Sequence, residues 1–281
     1  MGERIDWKSA SMALKRSEVR RIHVFDLEQV RHQQEGQEWV PHWHTEWSFG
    51  AIAKGSCHCS VAGRPFLARA GDLIAIAPHT VHTGVLTASS ECKAVLVMML
   101  YVPPIWLLRE GLTPPARSGL IRAPTLVRQA KNLSSVDDVQ AWLHKAVPRL
   151  SHALRPTSSA PLDPIPTDAA RILMERVRST VLGGDWNVSG LARQCRVSRR
   201  RIHQVMKHWI GMSPSDYLRT VRLHRAKDML LEGLPLATVA TACGFADQAH
   251  FTRWFRRAFG YTPGDLVRDS SGRGTTRQTP R

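Results

Sequence analysis

Two short histidine segments, His42-Trp43-His44-Thr45-Glu46 and His79-Thr80-Val81-His82, carry the ligand-capable side chains of the first half of the chain. An imidazole nitrogen can bind zinc, iron or manganese, and it can hydrogen-bond an anionic or hydroxylated organic molecule. Alternate residues of a strand share a face, so His42 and His44 can converge, and a closed barrel can bring His82 to them. Three uses stay open. One is a divalent metal site of His42, His44 and His82, with or without Glu46; the second is a pocket for a small organic effector, lined by His42, His44, Glu46 and His82. The third is a set of hydrogen-bonded structural histidines. Cys57-His58-Cys59 is read as structural, because on a strand His58 points away from the two cysteines.

The second half offers a different chemistry. A short helix over 188–195, a turn at Arg196-Val197 and a helix from Arg199 to about Trp209 follow from the apolar spacing, with Ser198 placed to cap the second helix. On a helical wheel Ile202, Val205, Met206 and Trp209 face inward, while Arg200, Gln204 and Lys207 project outward with Arg201 and His203 on the flanks. The design recurs at 236–243, Gly244-Phe245-Ala246 and a helix over 247–259 capped by Asp247. There Phe251, Trp254, Phe255 and Ala258 face inward, and Ala249, Arg253 and Arg256 face out beside Gln248, His250 and Arg257. In a major groove Arg can bond guanine bidentately and Gln can bond adenine, while basic residues at the edges meet phosphates. One basic run alone is ordinarily a solvated helix face. Two capped helix-turn-helix units of matching polarity point to double-stranded DNA.

These groups need two kinds of scaffold. Short strands separated by glycine turns are predicted over 47–53, 57–61, 73–77 and 93–100, the pattern of a small β-barrel or sandwich. Val136, Val139, Leu143, Ala146, Val147 and Leu150 then form one apolar stripe at helical spacing, able to dock on the barrel or to pair with a second subunit in a homodimer. Residues 155–166, rich in Pro and Ser, have linker composition. The expected organisation is an α+β chain: a barrel with following helices over 1–154, the linker 155–166, an all-α domain over 167–268 and a disordered basic tail over 269–281. Between the two units Pro214 opens a helix through about Glu232; at 1.5 Å per residue it spans roughly 25–30 Å, near the roughly 34 Å between successive major-groove faces.

Charge agrees with this division. The chain of 281 residues has a formal charge of +16. Residues 1–166 hold 19 Lys and Arg against 14 Asp and Glu, whereas 167–281 hold 20 against 9, so the basic excess sits in the half with the paired units. Five cysteines argue against a disulfide-stapled secreted protein, and the absence of an apolar leader or spanning run argues against export or a membrane. A cytoplasmic protein is expected.

Residues 167–268 resemble the DNA-binding domain of the AraC/XylS regulator family through Leu191-Ala192, Val197-Ser198, Gly211-Met212-Ser213-Pro214, Tyr217-Leu218, Arg222-Leu223, Ala226, Val239-Ala240 and the run from Gly244 to Pro263. The resemblance implies base-reading positions at Arg200, His203 and Gln204 in the first unit and at Gln248, Ala249, Thr252 and Arg253 in the second; Lys207, Arg256 and Arg257 complete the DNA-facing set. Arg196 stands where many relatives have a small turn residue. The two histidine segments are similar to the cupin motifs of such regulators' sensor domains, with Ser48 where the enzyme motif has Glu and His79 where it has Gly. The implied function is a sequence-specific transcription regulator that senses a small molecule and contacts operator DNA and RNA polymerase. A metal-dependent cupin enzyme with an accessory DNA-binding part and a nonspecific architectural DNA binder are the competing classes.

Overall fold

The structure is a computed structural model, and it describes residues 18–22, 27–88, 94–155, 168–182 and 187–271. Its first half is an antiparallel double sheet built from β1 (Glu18–Ile22), β2 (Leu27–His32), β3 (Glu38–His42), β4 (Trp47–Lys54), β5 (Ser56–Val61), β6 (Arg64–Arg69), β7 (Asp72–Ile76), β8 (His82–Thr87), β9 (Leu96–Val102) and β10 (Gly119–Arg122). One sheet runs β1-β2-β9-β4-β7-β10 and the other β3-β8-β5-β6.

Side-chain alternation sorts the larger sheet into two faces. Phe49, Ala51, Leu73, Ala75, Met98 and Leu100 point to one side, and Ile52, Ile74, Ile76 and Val97 to the other, where they meet Cys57, Val61, Ala68 and Leu86 of the smaller sheet. Both faces are buried, so β4, β7 and β9 read as apolar runs. The outer face is covered by α1 (Pro104–Arg109), α2 (Pro124–Ala130) and α3 (Val136–Ala153). α3 opens on a capping box, with Ser135 accepting from the Asp138 amide and Asp138 accepting from the Ser135 amide. Its stripe docks on the sheet: Val139, Leu143, Ala146, Val147 and Leu150 are fully buried. That settles the choice left open by the sequence in favour of the barrel, and the stripe offers no surface to a second subunit.

The helical half contains α4 (Asp168–Leu182), α5 (Val188–Gln194), α6 (Arg199–Val205), α7 (Pro214–Leu231), α8 (Leu236–Ala242), α9 (Gln248–Phe259) and α10 (Pro263–Ser271). A π-helical segment, Met206–Ile210, extends α6 and ends at Gly211. α10 reaches Ser271, past the expected start of the tail at Asp269; residues 272–281 lie outside the described residues, as do Lys93 of a predicted strand and 156–166 of the predicted linker. No described helix is long and apolar enough to cross a membrane.

The two helix-turn-helix units have separate cores. Leu173, Val177, Leu191, Cys195, Ile202, Met206 and Leu218 fill the first, and Leu223, Leu230, Val239, Phe251, Phe255 and Leu266 fill the second. The second core also takes in Val30 of β2 and Tyr101 of β9. α7 and α9 pack on β3, and α10 packs on β1, so the second unit rests on the sensor half.

Candidate functional site

In the first unit Asn187 caps α5, accepting from the Gly190 amide at 2.7 Å. Ser198 caps α6, its Oγ accepting from the Arg201 amide at 3.1 Å, as its position in the sequence requires. Arg196 takes φ +54, the left-handed geometry that Gly244 supplies at φ +71 in the second unit, so the fold keeps the turn with a non-glycine residue. Ile202, Val205 and Met206 are buried, whereas Arg200, Arg201, His203, Gln204 and Lys207 are exposed.

In the second unit Asp247 Oδ1 accepts from the His250 amide at 2.6 Å. Phe251, Phe255 and Ala258 are buried; Gln248, Ala249 and Arg253 are exposed, and Thr252 is half-buried. Trp254 donates through Nε1 to His250 Nε2 at 2.8 Å. Two guanidinium groups approach its ring, that of Arg219 at 3.7 Å from the ring centre and that of Arg257 at 4.9 Å. Arg256 faces a different neighbour: its Nη2 donates to Gln34 Oε1 of the sensor half at 2.5 Å. The sequence groups Arg256 with the DNA-facing residues, and in this arrangement it bridges the two halves.

His42 at the end of β3, His44 in the loop that follows and His82 at the start of β8 converge as the barrel reading expects, with ligand atoms all within 4.8 Å of one another. β3 and β8 pair with His42 directly opposite His82, which fixes the approach. His42 Nδ1–H donates to the Val40 carbonyl and His82 Nδ1–H to the Thr80 carbonyl, each at 2.8 Å, and His42 Nε2 lies 3.1 Å from His44 Nε2. Burial holds all three imidazoles in the neutral form. It lowers His82 to about 4 and puts His42 and His44 well below the ordinary value, helped at each by its histidine neighbours. His79 adopts φ +57, the conformation for which glycine is the usual residue, and its amide bonds the His44 carbonyl at 2.7 Å.

A cavity of about 60 Å3 adjoins this cluster, walled by Ile52, Ile74, Ile76, Leu86, Met99 and Tyr101. Cys57 and Cys59 also line it, so residues that the sequence marks as merely structural border the site, while His58 is exposed as expected. Glu46 does not join the histidines. It shares a second, more polar pocket with Glu28, His224 and Lys227. Burial there pushes its carboxyl up, but Lys227 and His224 outweigh that effect and bring it below the usual value. Ser48 is buried within β4.

Residues of the DNA-binding half that the histidine motifs do not announce complete the surroundings. His44 lies 5.9 Å from the ring of Phe259, in the last turn of α9, and 6.2 Å from His224 of α7. His224 stacks on Trp43 with ring centres 4.5 Å apart and donates from Nε2 to the Trp43 carbonyl at 2.8 Å. Next to it Glu28 takes two buried partners: Lys227 Nζ at 2.7 Å and the Tyr261 hydroxyl, which donates at 2.6 Å. Burial, then the Glu28 charge, pushes the Tyr261 phenol well above its ordinary value. No local sequence signal links Glu28 to Lys227 or Tyr261, because the pairing is made by the docking of two domains.

The chain matches the model of the AraC-like ligand binding domain over residues 25–166 and that of a helix-turn-helix domain over 191–269. It is 34% identical over 87 residues to the HTH-type transcriptional activator RhaS of Escherichia coli (strain SE11), covering 31% of each protein. It is 40% identical over 81 residues to RhaS of Pectobacterium atrosepticum, covering 28% of this chain and 29% of that one. The match thus spans less than a third of these relatives' length. Among solved structures, ToxT from Vibrio cholerae O395 superposes with a TM-score of 0.50 at 11% identity, covering 88% of this chain and 98% of that one. Unsaturated fatty acid bound wild-type ToxT from strain SCE256 gives 0.53 at 11% identity, covering 88% and 96%. At these identities the likeness shows a shared two-domain fold.

Proposed function

From the premise that the chain belongs to the AraC family, we propose that it is a transcription regulator that reads operator DNA with α6 and α9 and adjusts that reading to a small-molecule effector. Arg200, His203 and Gln204 read one major-groove face, and Gln248, Ala249, Thr252 and Arg253 read the next. Lys207 and Arg257 supply charge toward phosphates, while Arg256 is engaged by Gln34 of the sensor half. The RhaS relatives are transcriptional activators by name, which supports a role at promoters with RNA polymerase as a further partner. Work on operator DNA supports a cytoplasmic location.

One observation carries the sensing part: His44, clustered with the His42 and His82 that line the cavity, has its ring 5.9 Å from that of Phe259 at the end of the second reading helix. A ligand that moves or fixes His44 therefore acts on the seat of α9. Such a ligand shifts DNA affinity only by the difference in its own affinity for the docked and released arrangements. The fatty acid bound ToxT structure supports an organic effector in a protein of this fold. Because Glu46 faces Lys227 rather than the histidines, the carboxylate of the cupin enzymes has no counterpart among the described residues of this cluster, and regulation is favoured over catalysis. The test is operator binding by the full chain across a metabolite library. The wild type responds to its effector, and the double variant His44→Ala, His82→Ala keeps basal operator affinity and loses the response. A well-folded double variant that responds like the wild type contradicts the assignment.

A further inference from the structure

We propose that His42, His44 and His82 form a binding site for a divalent first-row transition metal ion such as zinc, with one coordination position open toward the adjoining cavity. The inference rests on the sensing role assigned to this pocket and names the chemistry of what is sensed or of what holds it. The argument starts from proton bookkeeping. Val40 and Thr80 carbonyls accept at 2.8 Å from the Nδ1 atoms of His42 and His82, so in both neutral rings the proton sits on Nδ1 and Nε2 presents a lone pair. His42 Nε2 points at His44 Nε2, 3.1 Å away. His44 can offer at most one proton to the centre, so three clustered imidazoles hold more lone pairs than donors. A cation with vacant orbitals is the partner that satisfies all three at once.

Carbonyls bonded to the rear nitrogen are also how metal-binding histidines are oriented and their tautomer set. Zinc bonds imidazole nitrogen at about 2.0–2.1 Å, which places tetrahedral ligand atoms about 3.3 Å apart. His42 Nε2 and His44 Nε2 already stand at 3.1 Å and the whole set lies within 4.8 Å, so small ring rotations complete the shell. An all-imidazole set without carboxylate favours zinc, copper, nickel, cobalt or ferrous iron over calcium and magnesium, which take oxygen ligands. Three protein ligands leave a fourth position for water or a ligand atom, and the 60 Å3 cavity has room for either. Nearby Lys227 does not oppose a dication with a free charge, because Glu28 neutralises it at 2.7 Å.

The experiment uses the untagged full chain, stripped with chelator, dialysed against zinc and measured by elemental analysis and isothermal titration. The expected result is one zinc ion per chain, with cobalt giving the intense visible bands of a tetrahedral site. His44→Gln and His82→Gln each lower zinc affinity by about a hundredfold or more. His58→Gln, on the solvent-facing side of β5, leaves it unchanged. Circular dichroism checks each variant's fold, and the cobalt spectrum of the wild type tests the site without any variant. Folded wild-type chain that binds no zinc, or binding that survives in the His44→Gln, His82→Gln double variant, overturns the proposal. If no metal binds but those variants still lose effector response, the metal site fails and the sensing reading stands. Bound metal with operator binding indifferent to every effector gives the reverse.

Discussion

Arg253 and Arg256 stand one turn apart on α9 and serve different ends. Arg253 is exposed on the face proposed to read bases, while Arg256 is held by Gln34 of the sensor half. Arg253→Ala is expected to cost about 1–3 kcal/mol at operator DNA and to relax preference at a single base pair. Competition binding against single-base operator variants measures this, and an equal loss on random DNA would show that Arg253 meets phosphate instead. Glu28 presents the opposite case, a buried acid with two partners. Glu28→Ala takes from the buried Lys227 ammonium its carboxylate partner at 2.7 Å and from the Tyr261 hydroxyl its acceptor, and breaking such a pair typically costs about 3–5 kcal/mol. Denaturant unfolding is expected to report that loss and to recover much of it in Glu28→Leu, Lys227→Met; an unchanged midpoint in Glu28→Ala would mean the pair is solvent-compensated. The caps at Ser198 and Asp247 were legible in the sequence because a cap is decided within four residues. Glu28, Lys227 and the bond from Arg256 to Gln34 were not, since each joins residues about two hundred positions apart through packing alone.

Among the elements, α9 shows how a docking surface is built on a helix end. Gly260 takes φ +83, and a Cβ there would come within 2.6 Å of His32 Cε1 and 2.8 Å of Trp39 Nε1. Gly260→Ala is therefore expected to strain the turn and wedge the second unit away from β2 and β3. Limited proteolysis should then cut between the halves faster than in the wild type, whereas an unchanged digestion rate would show that α9 is not seated there in solution. Asp247→Ala removes only the cap, with an expected loss of about 1 kcal/mol in calorimetric stability and no change in domain docking. The strands β4, β7 and β9 were readable because both their faces are buried and their sequences are continuously apolar. β2 was missed for a physical reason. Its sequence, LEQVRH, looks solvated, yet Glu28, Gln29 and His32 are buried beneath the helical half and the loop before α3, with Gln29 donating to the Leu133 carbonyl. The π segment after α6 also escaped, since its spacing of apolar residues fits an ordinary helix equally well.

At the level of the whole molecule, the two halves that composition separates at 155–166 are joined by a shared core. Val30 and Tyr101 complete the packing of the second helix-turn-helix unit, so the full chain, rather than its last hundred or so residues, is the natural object for binding work. The concentration of basic charge after residue 167 implies steep salt dependence, with operator and random DNA both released as ionic strength rises. The central claim is that α6 and α9 each read sequence while seated on one chain. Selection of operator DNA from a random library by the full chain, followed by footprinting and reselection with Arg200→Ala and with Arg253→Ala, tests it most directly. The expected result is two recognition blocks about one helical turn apart, near 10 base pairs, with each variant losing information in a different block. A single block, or two variants that weaken every sequence alike, would contradict the account.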